Sequence, residues 1–264
     1  MTMHTNTLEA AGTAVPNTRR MVDAPTRVFH WLFALSFVGA YLTAEGESWR
    51  MLHVTLGYTM AGLLVFRVLY GVWGPPQVRL SLMLRKLKPG PQWVRGAIAH
   101  VSHQFASKSG SSAELGPAAI QWRQGQNLLL PIAVVAILVL VVPLTMSGYA
   151  TFNDWGDALG GDWMEDVHGF LGDALLAVVL AHVALIAGLS LLRRKNLAQA
   201  MVTGRGQGPG PDLAKRNHAW LAVLVLLAVL AFWAWQWQQA PHGLLYGGDP
   251  SGAASSRHNV EDDD

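Results

Sequence analysis

DVHGFLGDALLAVVLAHVALIAGLSLLRRK, residues Asp166–Lys195, is an apolar run of membrane-spanning length that carries two histidines, His168 and His182. An ionisable group in hydrocarbon is costly enough that its presence marks a function. The two lie fourteen residues apart. At about 3.6 residues per turn that is nearly four turns, so both imidazoles project from one helix face, roughly 21 Å apart along the axis. One therefore lies near each side of a bilayer. Such a pair offers one ligand to each of two stacked metal centres, and it requires partner histidines at matching depths on neighbouring helices.

Composition agrees with a membrane setting: 51% of the 264 residues are hydrophobic, only 14% are charged, and mean hydropathy is +0.26. Five apolar runs, Val28–Ala44, Val54–Trp73, Leu128–Ala150, Val167–Leu192 and Ala219–Gln238, each come near the roughly 20 residues needed to span. The first is the shortest. Residues 1–20 lack an apolar core and a cleavage site, so the first run is expected to act as its own insertion signal. The absence of cysteine excludes disulfides, thiolate iron–sulfur clusters, covalent c-type haem attachment and cysteine nucleophiles. Any metal must be held by His, Met or carboxylate.

Basic residues alternate between loops. All of the nineteen except Arg50, Arg67 and Arg257 fall before run one, between runs two and three, or between runs four and five. Positive residues stay on the cytoplasmic side, which predicts a cytoplasmic N-terminus and a periplasmic C-terminus in a bacterial inner membrane. The net charge of +2 is a topology signal, and no nucleic-acid partner is expected.

With that orientation, His30 sits near the inner end of run one and His53 at the outer end of run two. Run four travels inward, so His168 is outer and His182 inner. The depths pair off as His30 with His182 and His53 with His168. Four histidines at two depths, two on one helix and one on each of two others, are the arrangement that bis-histidine ligation of two b-type haems requires. The second ring nitrogen of each is expected to bond a backbone carbonyl or side chain. The pattern H-V-T-L-G after His53 and H-G-F-L-G from His168 places Gly57 and Gly172 one turn below their histidines on the same face, leaving room for a flat porphyrin. Arg67, fourteen residues after His53, shares the depth of His182 and is a natural partner for the propionates of an inner haem; snorkelling to the cytoplasmic surface is its alternative role.

These residues resemble a known group. R-V-F-H-W at 27–31, L-H-V-T-L-G-Y at 52–58, F-R-V-L-Y-G-V-W-G-P at 66–75, S-G-Y-A at 147–150, V-H-G-F-L-G at 167–172 with His182 beyond it, and K-N-L-A-Q-A-M-V-T-G-R at 195–205 are similar to the bacterial cytochrome b561 and nickel–iron hydrogenase cytochrome b family. The resemblance covers about residues 24–205. It implies an all-α, four-helix di-haem membrane core ligated by His30, His53, His168 and His182. That core would pass electrons between quinone and a periplasmic haem c protein or an oxidoreductase subunit, as the electron-transfer subunit of a quinone-linked oxidoreductase. The short turn between runs one and two departs from members that grip a large hydrogenase. Two haem b groups, exchangeable quinone, the lipid bilayer and a second copy of the chain complete the expected cofactors and partners.

The organisation expected is a disordered cytoplasmic lead (1–23), the di-haem domain (24–205), a linker with a fifth membrane helix (206–240) and a disordered external tail (241–264). Trp233, Trp235 and Trp237 are placed in an aromatic belt at the outer interface, and His218 is an interfacial residue. PGPQWVRGAIAHVSHQF, from Pro89, reads as an amphipathic helix on the inner leaflet with Trp93 and Ile98 towards lipid; His100 and His103, three apart, read as its solvated face. The external segment 151–166 carries Asp154, Asp157, Asp162, Glu165 and Asp166, a charge able to steer a basic cytochrome c. Asp173 is a candidate proton acceptor near a quinone. Two other classes fit intramembrane histidines: a transporter or channel relaying protons or metal ions, which predicts broken helices and a continuous polar path, and a haem-free anchor for an enzyme complex.

Overall fold

The computed structural model describes residues 18–92, 95, 98, 122–155, 163–208 and 210–239. Its long helices are α1 (Ala24–Leu42), α2 (Arg50–Trp73), α4 (Trp122–Phe152), α5 (Trp163–Arg193) and α7 (Ala219–Gln239), with the shorter α3 (Leu80–Leu87) and α6 (Gln199–Thr203) on connecting segments. Each apolar run of the sequence is therefore one helix. Among the described residues four segments are long and apolar enough to cross a membrane: α2, Leu128–Phe152 of α4, α5 and α7. Helix α1 is not among them, because Arg27, His30 and its polar first turn dilute its 19 residues.

Local chemistry sets the ends. Asp23 caps α1 by accepting from the Thr26 amide (3.2 Å), and Pro25 stands in the first turn, where a missing N–H costs nothing. Gly74 caps α2, and the Pro75–Pro76 pair that follows cannot continue it. Helix α5 carries Glu165 and Asp166 in its first turn and Arg193 in its last, the charge order that complements its dipole. Pro131 and Pro143 lie inside α4, as membrane helices tolerate.

The helices pack in the lateral order α7, α1, α2, α4, α5, each neighbour pair in contact. One apolar core runs through them: Phe29, Phe33 and Phe37 of α1, Met60, Leu63 and Leu64 of α2, Val141 and Leu144 of α4, Leu175 of α5, and Val225 and Val229 of α7.

The N-terminal lead differs from expectation. Thr18–Arg20 form a strand, β1, antiparallel to β2 (Arg205–Gln207), pairing Arg19 with Gly206. The Arg20 carbonyl accepts from Leu213 and Ala214, and the Ala24 amide bonds Asn217. Residues 18–23 are thus ordered, and the segment after α5 folds back over the start of α1 instead of hanging as a plain linker. The reason is the obligatory hydrogen bonding of backbone at a helix end, which β2 and Asn217 satisfy.

Trp233 also differs. Its indole Nε1 donates to Thr59 Oγ1 (2.9 Å) inside the bundle, and the ring packs on the core, whereas Trp235 and Trp237 are exposed as a lipid-interface belt requires. A buried indole N–H needs an acceptor, and Thr59 is the one in reach. In the connection after α2, α3 stands ahead of the expected surface helix; Ile98 is helical and exposed, while Trp93, His100 and His103 lie outside the described residues, as do Asp157, Asp162 and the tail after Pro241.

Candidate haem-binding site

His53 rises from the first turn of α2 and His168 from the first turns of α5, at the same end of the bundle. Their ring centroids are 5.9 Å apart and the ring planes cross at 81°. With metal–imidazole bonds of about 2 Å, as at zinc, and a ring centre about 1.1 Å behind each nitrogen, two opposed ligands of one metal atom hold their centroids roughly 6 Å apart.

The other nitrogen of each ring is fixed. His53 Nδ1 lies 2.8 Å from the Ala40 carbonyl, and His168 Nδ1 lies 3.1 Å from the Leu144 carbonyl and 3.2 Å from Ser147 Oγ. A carbonyl only accepts, so Nδ1 carries the proton in both rings and Nε2 is the free lone pair, the tautomer a metal ligand needs. The Ala40 carbonyl lies in the last turn of α1, where it also accepts from the amide and Oγ1 of Thr43 (3.2 Å each). Gly148 makes the second contact possible: a Cβ there would stand 2.7 Å from His168 Cε1.

At the other end His30 of α1 and His182 of α5 come close enough to interact electrostatically. Contrary to the expectation that each second ring nitrogen meets a carbonyl or side chain, the Nδ1 atoms of both are buried and have no hydrogen-bond partner among the described residues. His53 and His168 thus lie together at one end, and His30 and His182 lie within electrostatic range of one another at the other. Among the described residues no three His, Asp or Glu side chains converge on one point. Two imidazoles alone leave a transition metal under-coordinated, so a group that brings its own equatorial ligands suits each pair better than a bare ion. Gly57 and Gly172 agree: a Cβ on either would meet nothing within 4 Å, which leaves open space one turn below His53 and His168.

A family model described as prokaryotic cytochrome b561 matches residues 21–204. The chain belongs to that family. No curated protein and no solved structure matches it. Membership makes it a multi-pass membrane cytochrome of the b type, a class that binds haem b and transfers electrons. The donor set fits haem b: imidazoles, no cysteine, and glycine-lined space beside them.

Within this cytochrome b561 chain the remaining site residues are placed as follows. Arg67 donates from Nη1 to the Val78 carbonyl (3.2 Å), in the turn between α2 and α3. Asp173 accepts from the Tyr41 hydroxyl (3.3 Å), a link from α5 to the C-terminal end of α1. His218 begins α7 with φ +45°. Sequence reasoning gave no role to Ser147 and Gly148, which sit in the cytochrome b561-like S-G-Y-A stretch and shape the His168 position; that stretch was the available signal. The two carbonyl acceptors had none, since backbone atoms are the same at every residue.

Proposed function

We propose that the protein is a di-haem electron carrier that crosses a bacterial inner membrane five times and exchanges electrons between membrane quinone and a periplasmic haem c protein or oxidoreductase subunit. The observation that carries this reading is the His53–His168 pair, with ring centroids 5.9 Å apart and both Nδ1 atoms engaged by carbonyls. The second pair, His30 and His182, supports a second haem about four helical turns further in. The haems supply reversible one-electron chemistry at iron. The protein supplies the neutral imidazoles, the tautomer, the glycine-lined space and the low-dielectric path.

Other features support the finer parts. Helix α1 lies in the core between α2 and α7, which favours its crossing the membrane alongside them. The basic residues favour an inside N-terminus and an outside C-terminus. Arg67 spends one of its five donors on Val78, and a guanidinium carries further donors for an inner propionate. Glu165 and Asp166, at the outer start of α5 near His168, give a basic cytochrome c an acidic place to dock.

The test is a reduced-minus-oxidised spectrum of the purified protein with a pyridine haemochrome count. Two low-spin b haems per chain, with His168→Ala and His182→Ala each removing chiefly one, are expected. A folded, haem-supplemented preparation without haem overturns the reading.

A further inference from the structure

Arg50 opens α2 three residues before His53, so it stands one turn nearer the end of the bundle on the same helix face, with the two Cβ atoms about 5–6 Å apart. Phe152 closes α4 four residues after Gly148, the residue whose added Cβ would meet the His168 ring. It too stands one turn nearer that end, on the face of α4 that His168 packs against. The two side chains meet: the Arg50 guanidinium carbon lies 5.7 Å from the centre of the Phe152 ring, within cation–π range. A cation held by an aromatic ring therefore sits one turn beyond the His53–His168 pair. It joins α2, which bears one imidazole, to α4, which holds the other.

Neither helix stability nor loop charge explains Arg50. A cation in the first turn opposes the helix dipole, and Arg50 is one of three basic residues outside the loops that carry the rest. The space beside the pair is open, since a Cβ on Gly57 or Gly172 would meet no atom within 4 Å. Met60 and Leu175, each seven residues and two turns further in on the histidine faces, are 2% and 0% exposed. Arg50, in the other direction, is exposed. A haem has an apolar edge and an edge with two anionic propionates; the first belongs with Met60 and Leu175, the second with Arg50.

We propose that Arg50, steadied by Phe152, binds a propionate of the haem held by His53 and His168 and raises the midpoint potential of that haem. The proposal rests on the reading of the protein as a di-haem cytochrome. A planar guanidinium binds a carboxylate through two parallel N–H bonds, and its charge offsets that of the propionate. The reduced haem carries one positive charge fewer than the oxidised haem, so a cation nearby favours reduction. The effect is confined to one centre. Arg67, matched to the other haem, lies seventeen residues and about 26 Å along α2 from Arg50, well beyond the reach of a screened charge.

The experiment is a spectroelectrochemical titration of the full-chain holoprotein in lipid nanodiscs, wild type beside Arg50→Gln, Arg50→Lys and Phe152→Leu, with a resonance Raman record of the propionate-bending band. The same variants on a His182→Ala background isolate the His53–His168 haem. Arg50→Gln is expected to shift that haem at least threefold towards its oxidised form, about 28 mV for a one-electron couple, and to move its propionate band, while the other haem stays unchanged. Arg50→Lys keeps the charge and is expected to restore at least half of the shift; Phe152→Leu is expected to fall between wild type and Arg50→Gln. Unchanged midpoints and an unchanged band in Arg50→Gln overturn the proposal and leave the di-haem reading standing. An equal fall of both midpoints makes Arg50 a distant surface charge and also overturns it. Should Arg50→Gln not retain this haem, the band in Arg50→Lys and Phe152→Leu decides: moved, it supports the contact; unmoved, it overturns it. Wild-type protein that binds no haem overturns the di-haem reading together with the proposal.

Discussion

His53 and His168 lie with ring centroids 5.9 Å apart at one end of the bundle, and their Nδ1 atoms are held by carbonyls of two further helices, Ala40 on α1 and Leu144 on α4. Four helices therefore fix one ligand pair. Since the pair is a unit, His53→Ala and His168→Ala are each expected to remove the same haem and to leave about one of two by pyridine haemochrome, with the double variant no worse than either single. An additive loss would show that the two residues serve different haems.

Gly148→Ala tests the packing behind His168. The added methyl would stand 2.7 Å from Cε1 and 3.1 Å from Nδ1, so the ring must turn away from Leu144. Overpacking of this kind costs about 1–3 kcal/mol. The expected outcome is a lower thermal midpoint and selective loss of the outer haem, read by unfolding and by the spectrum; an unchanged outer haem would mean that the ring does not depend on that contact.

Gly172→Ala should behave in the opposite way without cofactor. A Cβ there meets no protein atom within 4 Å, and alanine favours a helix over glycine by about 1 kcal/mol. Haem-depleted protein is expected to gain stability, while the haem-loaded form loses outer haem because the methyl occupies porphyrin space. Thermal melts of the two preparations decide it, and a variant that keeps full haem would remove the steric role of Gly172.

Tyr70→Phe probes the opposite end of the bundle. The hydroxyl donates to Asp23 Oδ2 at 2.6 Å while Asp23 caps α1, and Asp23 is wholly buried. Losing a hydrogen bond to a carboxylate costs about 1.5–3 kcal/mol. A midpoint lowered by several degrees is expected, with the outer haem retained, as measured by circular dichroism beside the visible spectrum.

The seam between α7 and α2 can be measured directly. Trp233 Nε1 donates to Thr59 and Gln236 Nε2 approaches Thr55 at 3.5 Å. A double-mutant cycle of Thr59→Val with Trp233→Phe should return a coupling of about 0.6 kcal/mol, and no more than about 1.7, the span found for hydrogen bonds between membrane helices. No coupling would mean that van der Waals packing alone holds α7.

The histidine pairs were legible because an α-helix has a fixed rise and fixed angle per residue. A spacing of fourteen therefore states both depth and face before any fold is known. Gly57 and Gly172 were legible for the same reason. Ordered residues 18–23 were not, since a polar stretch reads alike whether it is solvated or paired, and its partner strand lies nearly 190 positions away. Trp233 was misplaced because its position near the end of an apolar run indicates an interface, while its hydrogen bond depends on where α2 happens to lie.

By itself the sequence determined the membrane class and the helices, which follow from local hydropathy and helix periodicity. The tertiary structure alone decided the lateral order of the helices, the carbonyls of Ala40 and Leu144 that set the histidine tautomers, and the closeness of Gly148 to His168. These are contacts between backbones far apart in the chain. Every backbone carbonyl is chemically the same, so only packing selects the one that meets a given ring.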